Sequence, residues 1–192
     1  SEMCIRDRDS KVTELNSKTI DCIWNGMTAT DELKNQINFS SAYMNNSQVA
    51  VIRKADAAKY KDLASMSGAK VVAEAGSAGE IAVKADAGLS KSYLPVKDQG
   101  TSLMEVKSKT ADIAIIDAVT AAGSIGEGTD YDDLMIVDVI SSADSEVYAV
   151  GIRKSDTELT AKINAAIKEL YDDGTLAKLA EKYNLSGRVI AQ

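Results

Sequence analysis

The sequence predicts an α/β protein with mostly parallel sheets and flanking helices. Short apolar runs alternate with segments whose apolar residues recur at helical spacing, as expected when crossover helices connect parallel strands. The run at residues 112–118 (DIAIIDA) is almost continuously apolar, which is typical of a parallel strand covered on both faces. With 192 residues, 45% apolar and 27% charged, the chain is long enough for one large domain or two smaller lobes.

The predicted strands are short apolar runs, most of them rich in β-branched residues. In chain order they are residues 20–24, 48–54, 70–74, 93–96, 112–118, 134–139 and 147–153. The first ends at Asn25-Gly26, a dipeptide that favours a turn. The second, QVAVIRK, has the composition of a strand that packs on a core.

The predicted helices are indicated by caps and by apolar residues three and four positions apart. In chain order they are a turn capped by Thr30, residues 62–66, 80–87, 101–108 and 119–125, a long helix that ends at Gly174, and residues 175–183. Ser155 and Glu158 form a Ser-x-x-Glu capping box, which predicts the start of the long helix. No internal repeat is apparent.

The composition excludes several classes of function. The 22 basic and 29 acidic residues give a formal charge of −7, which argues against a nucleic-acid binder because such proteins need a basic face. Without histidine there is no Ser-His-Asp catalysis and no His-ligated zinc, and two cysteines cannot form a four-Cys site. We therefore expect no catalytic residues, no metal and no cofactor. The sequence contains no run of 18 apolar residues, so it predicts no membrane-spanning helix.

Residues 1–8 read SEMCIRDR and fit no helix, strand or targeting pattern. The run MCIRDR resembles the translation of a sequencing adapter, so we expect a non-native tail; a genuine short polar tail is the alternative. With such a tail, the native protein would continue upstream of Asp9, and the missing leader would carry no information about compartment.

The segment Gly76-Ser77-Ala78-Gly79 lies between a predicted strand and a predicted helix. Backbone N–H groups at a helix start are unpaired and lie at the positive end of the helix dipole, so this turn could bind a carboxylate. No Gly-Lys-Ser/Thr follows, which excludes a P-loop. A plain helix cap is the alternative.

Two other strand ends carry candidate ligand contacts. Asp117 ends a buried strand, at the sheet edge where open α/β proteins bind ligands, and its carboxylate could hold an ammonium group or cap the next helix. Asn25, Gly26 and Thr28 offer an amide, a close backbone approach and a hydroxyl, or form a simple turn. Trp24 is either a core residue, which we favour slightly, or a wall on which a ligand stacks.

Four segments together resemble the extracellular solute-binding proteins of family 3, the amino-acid receptors of ABC importers. They are IDCIWNGMTATDELKNQINFS at 20–40, VVAEAGSAGE at 71–80, TADIAIID at 110–117 and VGIRKSDTELTAKINAAIKELYDDGTLAKLAEKY at 150–183. The resemblance covers nearly everything from Asp9 to Tyr183, and its last segment is the most specific.

This resemblance implies a two-lobed fold of the type II periplasmic-binding-protein kind, in which two lobes close on a ligand like a hinge. Residues 9–46 and 148–192 would then form an incomplete lobe 1, and residues 48–147 would form lobe 2. The crossovers would lie near residues 45–48 and 145–148. Because the family's first strands have no counterpart here, we expect a fragment.

The resemblance also implies ligand contacts in lobe 1. Asn25, Gly26 and Thr28 would meet the ammonium and carboxylate groups of the ligand. Many members carry an Arg at the position of Leu33, where it clamps the α-carboxylate through two parallel hydrogen bonds. Leucine cannot do this, so either lobe 2 holds the carboxylate alone or the ligand is not an ordinary α-amino acid.

In lobe 2, the resemblance places the amides of residues 77–79 at the ligand carboxylate and Asp117 at its ammonium group. Glu74 falls where members differ in selectivity, and its negative charge points to a basic or amine-bearing ligand. Gln99 lies near the mouth of a lobe-2 strand and is a further candidate.

We therefore expect a monomeric, non-enzymatic substrate-binding protein that captures a polar amino acid and delivers it to an ABC permease. It would lie outside the cytoplasmic membrane, in the periplasm or as a surface lipoprotein. The same fold also serves as the input module of membrane receptors and, in a few relatives, as a dehydratase. The absence of histidine and of a paired acid and base argues against an enzyme.

Overall fold

The computed structural model describes residues 10–140 and 146–192, except for the side chains of residues 138 and 139. The predicted tail at residues 1–8 and the first residue of the predicted crossover at 145–148 lie outside the described residues. The chain divides into two compact units. Unit 1 comprises Ser1–Asn46 and Ser145–Gln192, and unit 2 comprises Ser47–Asp144.

Strands and helices alternate along the described part of the chain, which confirms the predicted α/β class. The α-helices are α1 (Lys11–Asn16), α2 (Asp31–Lys34), α3 (Ala78–Ala85), α4 (Gln99–Lys107), α5 (Ala118–Ser124), α6 (Thr157–Asp172) and α7 (Thr175–Lys182). The strands are β1 (Cys22–Ile23), β2 (Asn38–Phe39), β3 (Met44–Asn46), β4 (Gln48–Arg53), β5 (Val71–Glu74), β6 (Tyr93–Val96), β7 (Ile113–Asp117), β8 (Leu134–Ile140), β9 (Glu146–Tyr148) and β10 (Gly151–Ile152). Short 3-10 helices cover Lys54–Asp56, Ala64–Met66 and Leu89–Ser92.

Unit 2 is built on a five-stranded sheet in the order β6-β5-β7-β4-β8. Strand β5 pairs in parallel with β6 and β7, whereas β4 pairs antiparallel with β7 and β8, so only β4 opposes the common direction. Val71 and Ile113 belong to one apolar cluster, and their chain neighbours Val72 and Ala114 belong to another. Because neighbouring residues in a strand point to opposite faces, apolar side chains cover both faces of the sheet.

Unit 1 contains a three-stranded sheet in the order β1-β10-β2 and a separate pair, β3-β9. All of these pairs are antiparallel, so the predicted parallel arrangement holds in unit 2 and not in the described sheets of unit 1. The reason is topological: β10 belongs to the part of the chain that follows unit 2, and it enters between β1 and β2 in the opposite direction.

The single strand predicted at residues 147–153 is divided into β9 and β10. Tyr148 pairs with Met44 in one sheet, whereas Gly151 pairs with Phe39 in the other. The run is continuously apolar because residues 148–152 are all buried, but its two halves pair with different strands.

Two predicted helix caps have different outcomes. Thr30 caps α2, since its Oγ1 accepts a hydrogen bond from the Leu33 amide at 3.3 Å. The capping box at Ser155 is wrong, because α6 is capped by Asp156, whose Oδ1 accepts from the Leu159 amide at 3.3 Å. The Asp156 carboxylate also pairs with Arg153 at 3.2 Å, which holds it at the helix start, where negative charge is favourable.

A local repeat relates the two units, which corrects the expectation that the sequence has none. The pattern Ser-Lys-Thr-x-Asp directly precedes both β1 and β7. A second pattern, Ile-Arg-Lys-x-Asp, begins at the last residue of β10 and at the penultimate residue of β4. The registers also correspond, since Ile23 pairs with Gly151 as Ala114 pairs with Val51. Sheet β1-β10-β2 therefore matches β7-β4-β8.

Candidate functional site

In unit 2, two acidic residues end neighbouring parallel strands. Strand β5 ends at Glu74 and β7 ends at Asp117, and both residues are buried. The carboxyl ends of parallel strands meet at one edge of a sheet, which is where ligands bind in open α/β sheets. Burying carboxylates costs free energy unless they are hydrogen-bonded or paired with a cation.

The Asp117 carboxylate is held by two glutamine side chains. Gln48 Nε2 donates to Oδ1 at 2.7 Å and Gln99 Nε2 donates to Oδ2 at 2.6 Å. Gln99 Oε1 also accepts from the Asp117 backbone amide at 3.1 Å. Asp117 occupies the N-cap position of α5 but makes no side-chain capping bond, so its carboxylate does not serve as the alternative cap.

Ser77 is the N-cap of α3, so the predicted turn is a genuine helix start. Its Oγ accepts from the Glu80 amide at 3.1 Å, and Glu80 Oε2 accepts from the Gly76 amide at 2.9 Å. The Ser77 amide itself donates to the Glu74 carbonyl oxygen at 3.3 Å, so the chain already uses one of the three amides expected to face a carboxylate. The first turn of α3, with Ala78 and Gly79, forms the positive end of this helix.

Gly79 brings the start of α3 against the end of β7. A Cβ atom at Gly79 would lie 2.9 Å from the Ile115 carbonyl oxygen and 3.1 Å from Gln48 Oε1. Gln48 therefore lies at both groups of candidate residues in unit 2, since its Nε2 donates to Asp117 and its Oε1 is beside Gly79. Gln48 was not among the predicted site residues, although a polar residue that opens an apolar strand is a signal that could have identified it.

Glu80 is the centre of a hydrogen-bonded group that supports this turn. Its Oε1 accepts from the Tyr93 hydroxyl at 2.9 Å and pairs with Lys84 Nζ at 2.9 Å. Burial raises the pKa of Glu80, but hydrogen bonds from Lys84, Gly76 and Tyr93 outweigh it, and the net pKa is lowered. Burial, together with the neighbouring Glu80 carboxylate, raises the pKa of Tyr93.

In unit 1 the candidate residues lie beside an aromatic group. The ring centroids of Trp24 and Tyr43 are 6.2 Å apart, and those of Tyr43 and Tyr148 are 6.4 Å apart. Trp24 is 41% exposed, so the prediction of a core residue is wrong and the alternative of an accessible wall remains. Burial raises the pKa of Tyr43, against the effect of hydrogen bonds with Trp24 and Gly26.

The turn after β1 packs on Tyr148. Gly26 has a φ of 70°, and a Cβ there would lie 3.3 Å from the Tyr148 ring. Thr28 forms a β-bridge with Tyr148, and Asn25 is exposed. Tyr43 and Tyr148 were not predicted, and scarcity is the signal that could have found them, because aromatics are only 5% of the chain.

Leu33, where the resemblance implies an Arg in many members, packs against the apolar cluster of Leu15 and Ile23. Within residues 10–140 and 146–192, no three His, Cys, Asp or Glu side chains are grouped as a metal site requires. In the same ranges, no helix has the length and apolar character needed to cross a bilayer.

The buried Asp117 carboxylate, held by two glutamines, and the accessible Trp24 ring are groups that suit a protein that binds small charged molecules. The model of the bacterial extracellular solute-binding proteins, family 3, matches residues 2–186, and the chain belongs to this family. The match begins within residues 1–8, and the non-native origin of that segment stays a prediction.

Similar proteins include amino-acid-binding members of the family. The chain is 34% identical over 188 residues to the arginine-binding extracellular protein ArtP of Bacillus subtilis, covering 95% of this chain and 71% of ArtP. It is 27% identical over 175 residues to the L-cystine-binding protein TcyJ of Escherichia coli, covering 91% of this chain and 64% of TcyJ. A Streptococcus pneumoniae amino acid ABC transporter substrate-binding protein bound to L-arginine has 27% identity and a TM-score of 0.81, covering 96% of this chain and 74% of that one.

Proposed function

We propose that this protein is the substrate-binding component of an ABC importer for a basic amino acid, with L-arginine as the first ligand to test. The observation that carries the proposal is the Asp117 carboxylate, buried at a strand end with both oxygens held by glutamine amides. A preorganised carboxylate makes strong charge-assisted hydrogen bonds to an ammonium or guanidinium group. The arginine-binding relative and the arginine-bound neighbour support this choice.

The two ends of an amino acid would use different groups of unit 2. Asp117 would bind the α-ammonium group, and the first turn of α3 would bind the α-carboxylate through backbone N–H groups and the helix dipole. Because Leu33 packs into an apolar cluster, no arginine clamp is proposed at that position. Glu74, the second buried acid, would attract the cationic end of the side chain.

Unit 1 would contribute shape and aromatic contact. Trp24 offers an accessible ring on which a guanidinium can stack. Asn25, Gly26 and Thr28 would supply the remaining polar and backbone contacts. The assignment of these residues to the ligand rests on the family resemblance, and the positions of Gly26 and Thr28 beside Tyr148 support it.

We assign residues 9–46 and 148–192 to lobe 1 and residues 48–147 to lobe 2. The two compact units support this division, since their boundaries fall at residues 46/47 and 144/145. The protein would bind as a monomer outside the cytoplasmic membrane and pass its ligand to a permease. Release of an unchanged ligand is compatible with a chain that has no histidine for acid–base catalysis.

Isothermal titration calorimetry on the full chain tests the proposal with four ligands. L-Arginine should bind most tightly, with L-citrulline, its uncharged isostere, weaker by about tenfold or more because the side-chain charge is lost. Agmatine, which lacks the α-carboxylate, and L-cystine should also bind more weakly.

Citrulline and agmatine each test a different part of the proposal. If citrulline binds as tightly as arginine, the basic specificity assigned to Glu74 is wrong. If agmatine matches arginine, the carboxylate site at α3 is wrong. If none of these ligands, nor any other amino acid, binds, the importer function itself fails.

A further inference from the structure

Each unit contains the same helix–turn–strand segment. Residues 15–21 lead from α1 into β1, and residues 106–112 lead from α4 into β7. In both segments the Ser and Thr hydroxyl oxygens lie 3.0 Å apart. The lysine between them, Lys18 or Lys109, has a positive φ of 64° or 68°. A non-glycine residue is uncommon in this conformation, so its occurrence at both positions marks one shared structure.

An arginine at the end of β4 (Arg53) or directly after β10 (Arg153) contacts each segment. Its Nη1 donates to two carbonyl oxygens, one near the end of the helix and one just before the strand. The acceptors are Val106 (2.6 Å) and Ala111 (2.7 Å) for Arg53, and Leu15 (3.3 Å) and Ile20 (2.6 Å) for Arg153. Each arginine therefore ties a helix end to a strand start.

Each guanidinium group also pairs with two carboxylates. The partners are Asp56 (2.6 Å) and Asp112 (3.3 Å) for Arg53, and Asp156 (3.2 Å) and Asp21 (3.1 Å) for Arg153. The Arg53 and Arg153 side chains are only 13% and 11% exposed. A buried guanidinium makes such contacts through a rigid, planar set of donors, which lysine cannot reproduce.

The strand pairing links Arg53 to the candidate residues of unit 2. Strand β4 carries Arg53 at one end and Gln48 at the other, and Gln48 lies directly opposite Asp117. A shift of one residue between β4 and β7 would turn every side chain of β7 to the other face of the sheet. Arg53 fixes this register at the start of β7, and the Gln48–Asp117 hydrogen bond forms at its end.

We propose that Arg53 and Arg153 are positioning residues for ligand binding. Arg53 holds β7 so that Asp117 meets its two glutamines, and Arg153 holds β1 so that Gly26 lies against the Tyr148 ring. The ligand part of this inference rests on the proposed function. Arg53 has the larger effect, because its partner Asp112 is 27% exposed whereas Asp21, the corresponding partner of Arg153, is 85% exposed.

The test compares Arg53→Met, Arg53→Lys and Arg153→Met in the full chain with Leu89→Ala, a core variant at a buried position of unit 2 outside the candidate site. Three quantities are measured at a temperature where each variant is folded: the urea midpoint, the affinity for L-arginine, and the NMR resonances of the site. The resonances are the side-chain amides of Gln48 and Gln99 and the backbone amide of Gly26.

Arg53→Met should move the two glutamine side-chain resonances and weaken arginine binding about tenfold, as expected when a site is misplaced by less than 1 Å. Arg53→Lys should give an intermediate change, and Arg153→Met should move the Gly26 resonance with a smaller loss of affinity. Leu89→Ala should lower the urea midpoint and leave both other quantities unchanged.

Unmoved glutamine resonances and wild-type affinity in Arg53→Met and Arg53→Lys would overturn the inference and leave the arginine a purely structural role. If Arg53→Met does not fold, Arg53→Lys decides between these outcomes. If the wild-type chain binds no amino acid, the proposed function fails, and the resonances alone decide whether the arginines position the strand ends.

Discussion

The candidate residues of the two units lie in different surroundings. In unit 2 the candidate residues are mostly buried, and polar side chains hold one another, as Gln48 and Gln99 hold Asp117. In unit 1 they are partly exposed and lie on aromatic rings. Charge recognition benefits from a fixed group away from water, where electrostatic interactions are stronger. Aromatic contact needs only an accessible face.

This difference arises at corresponding places in the same framework. By position in the repeat, Gln48 and Asp117 correspond to Tyr148 and Gly26, but the register shifts in unit 1, where Thr28 and not Gly26 pairs with Tyr148. One pair is a buried hydrogen bond of 2.7 Å, and the other is a ring 3.3 Å from where a glycine Cβ would stand. Corresponding positions of the repeat therefore carry a charged contact in unit 2 and an aromatic contact in unit 1.

The strongest test of this contrast is Asp117→Asn. The variant keeps the shape of the side chain and removes its charge, so affinity for L-arginine measured by calorimetry should fall by about 2–5 kcal/mol. Asp132→Asn, at an exposed position of unit 2, removes the same charge from the chain and is the matched control. Equal affinities in the two variants would show that unit 2 does not recognise charge through Asp117.

Gly79→Ala tests how closely α3 packs on β7. The added methyl group would meet backbone at 2.9 Å, so the free energy of unfolding should fall by about 1–3 kcal/mol in urea titrations. The control is Gly123→Ala in α5, where nothing lies within 4 Å, and helix propensity predicts a gain of about 0.5–1 kcal/mol. A neutral Gly79→Ala would mean that the two elements are not tightly joined.

Gly26→Ala sharpens the description of unit 1 when it is compared with Gly187→Ala. Both glycines have positive φ, so both substitutions should destabilise by about 1 kcal/mol. Of the two, only Gly26 faces a ring, so Gly26→Ala should lose up to about 1 kcal/mol more free energy of unfolding than Gly187→Ala. That difference measures the contact with Tyr148. Identical costs in urea titrations would remove Tyr148 from the description of this turn.

The smallest expected effect concerns the pH dependence contributed by Glu80. Its pKa in the folded protein is lowered from an ordinary value of 4.5, so its stabilisation is fully present above that pH and is lost as the pH falls through the folded pKa. Glu80→Gln should therefore reduce the acid-induced loss of stability by less than about 1 kcal/mol in urea titrations between neutral and acidic pH. Glu127→Gln, at an exposed position, should match the wild type, and an equal slope in all three proteins would contradict the role of Glu80.

The sequence predicted elements best where an apolar run keeps the same pairing partners along its whole length. The strand at 93–96 has the predicted bounds, and that at 48–54 differs by one residue. The predicted strand at 20–24 is reduced to Cys22–Ile23, because its only partner in the described sheet is the two-residue β10. Pattern alone does not specify where a partner strand ends.

The candidate site was predicted in part for a similar reason. Asp117 and the turn at 76–79 follow from the rule that ligands bind at strand ends and helix starts, which is a local signal. Gln48 and Tyr148 were missed because their importance lies in partners distant in the chain, Asp117 and Gly26. Trp24 was assigned to the core by its hydrophobicity, but burial is decided by what packs around a residue.

The sequence by itself determined the α/β class, the family and the candidate carboxylate at the end of β7. The class and the carboxylate follow from the order of apolar runs, turns and polar residues along the chain, which are local signals, whereas the family follows from the resemblance of four segments to known members. The tertiary structure decided that unit 1 is antiparallel, that two glutamines hold Asp117, and that Arg53 and Arg153 repeat one anchoring contact. Each of these joins residues far apart in the chain, and only folding brings their hydrogen-bonding groups within reach.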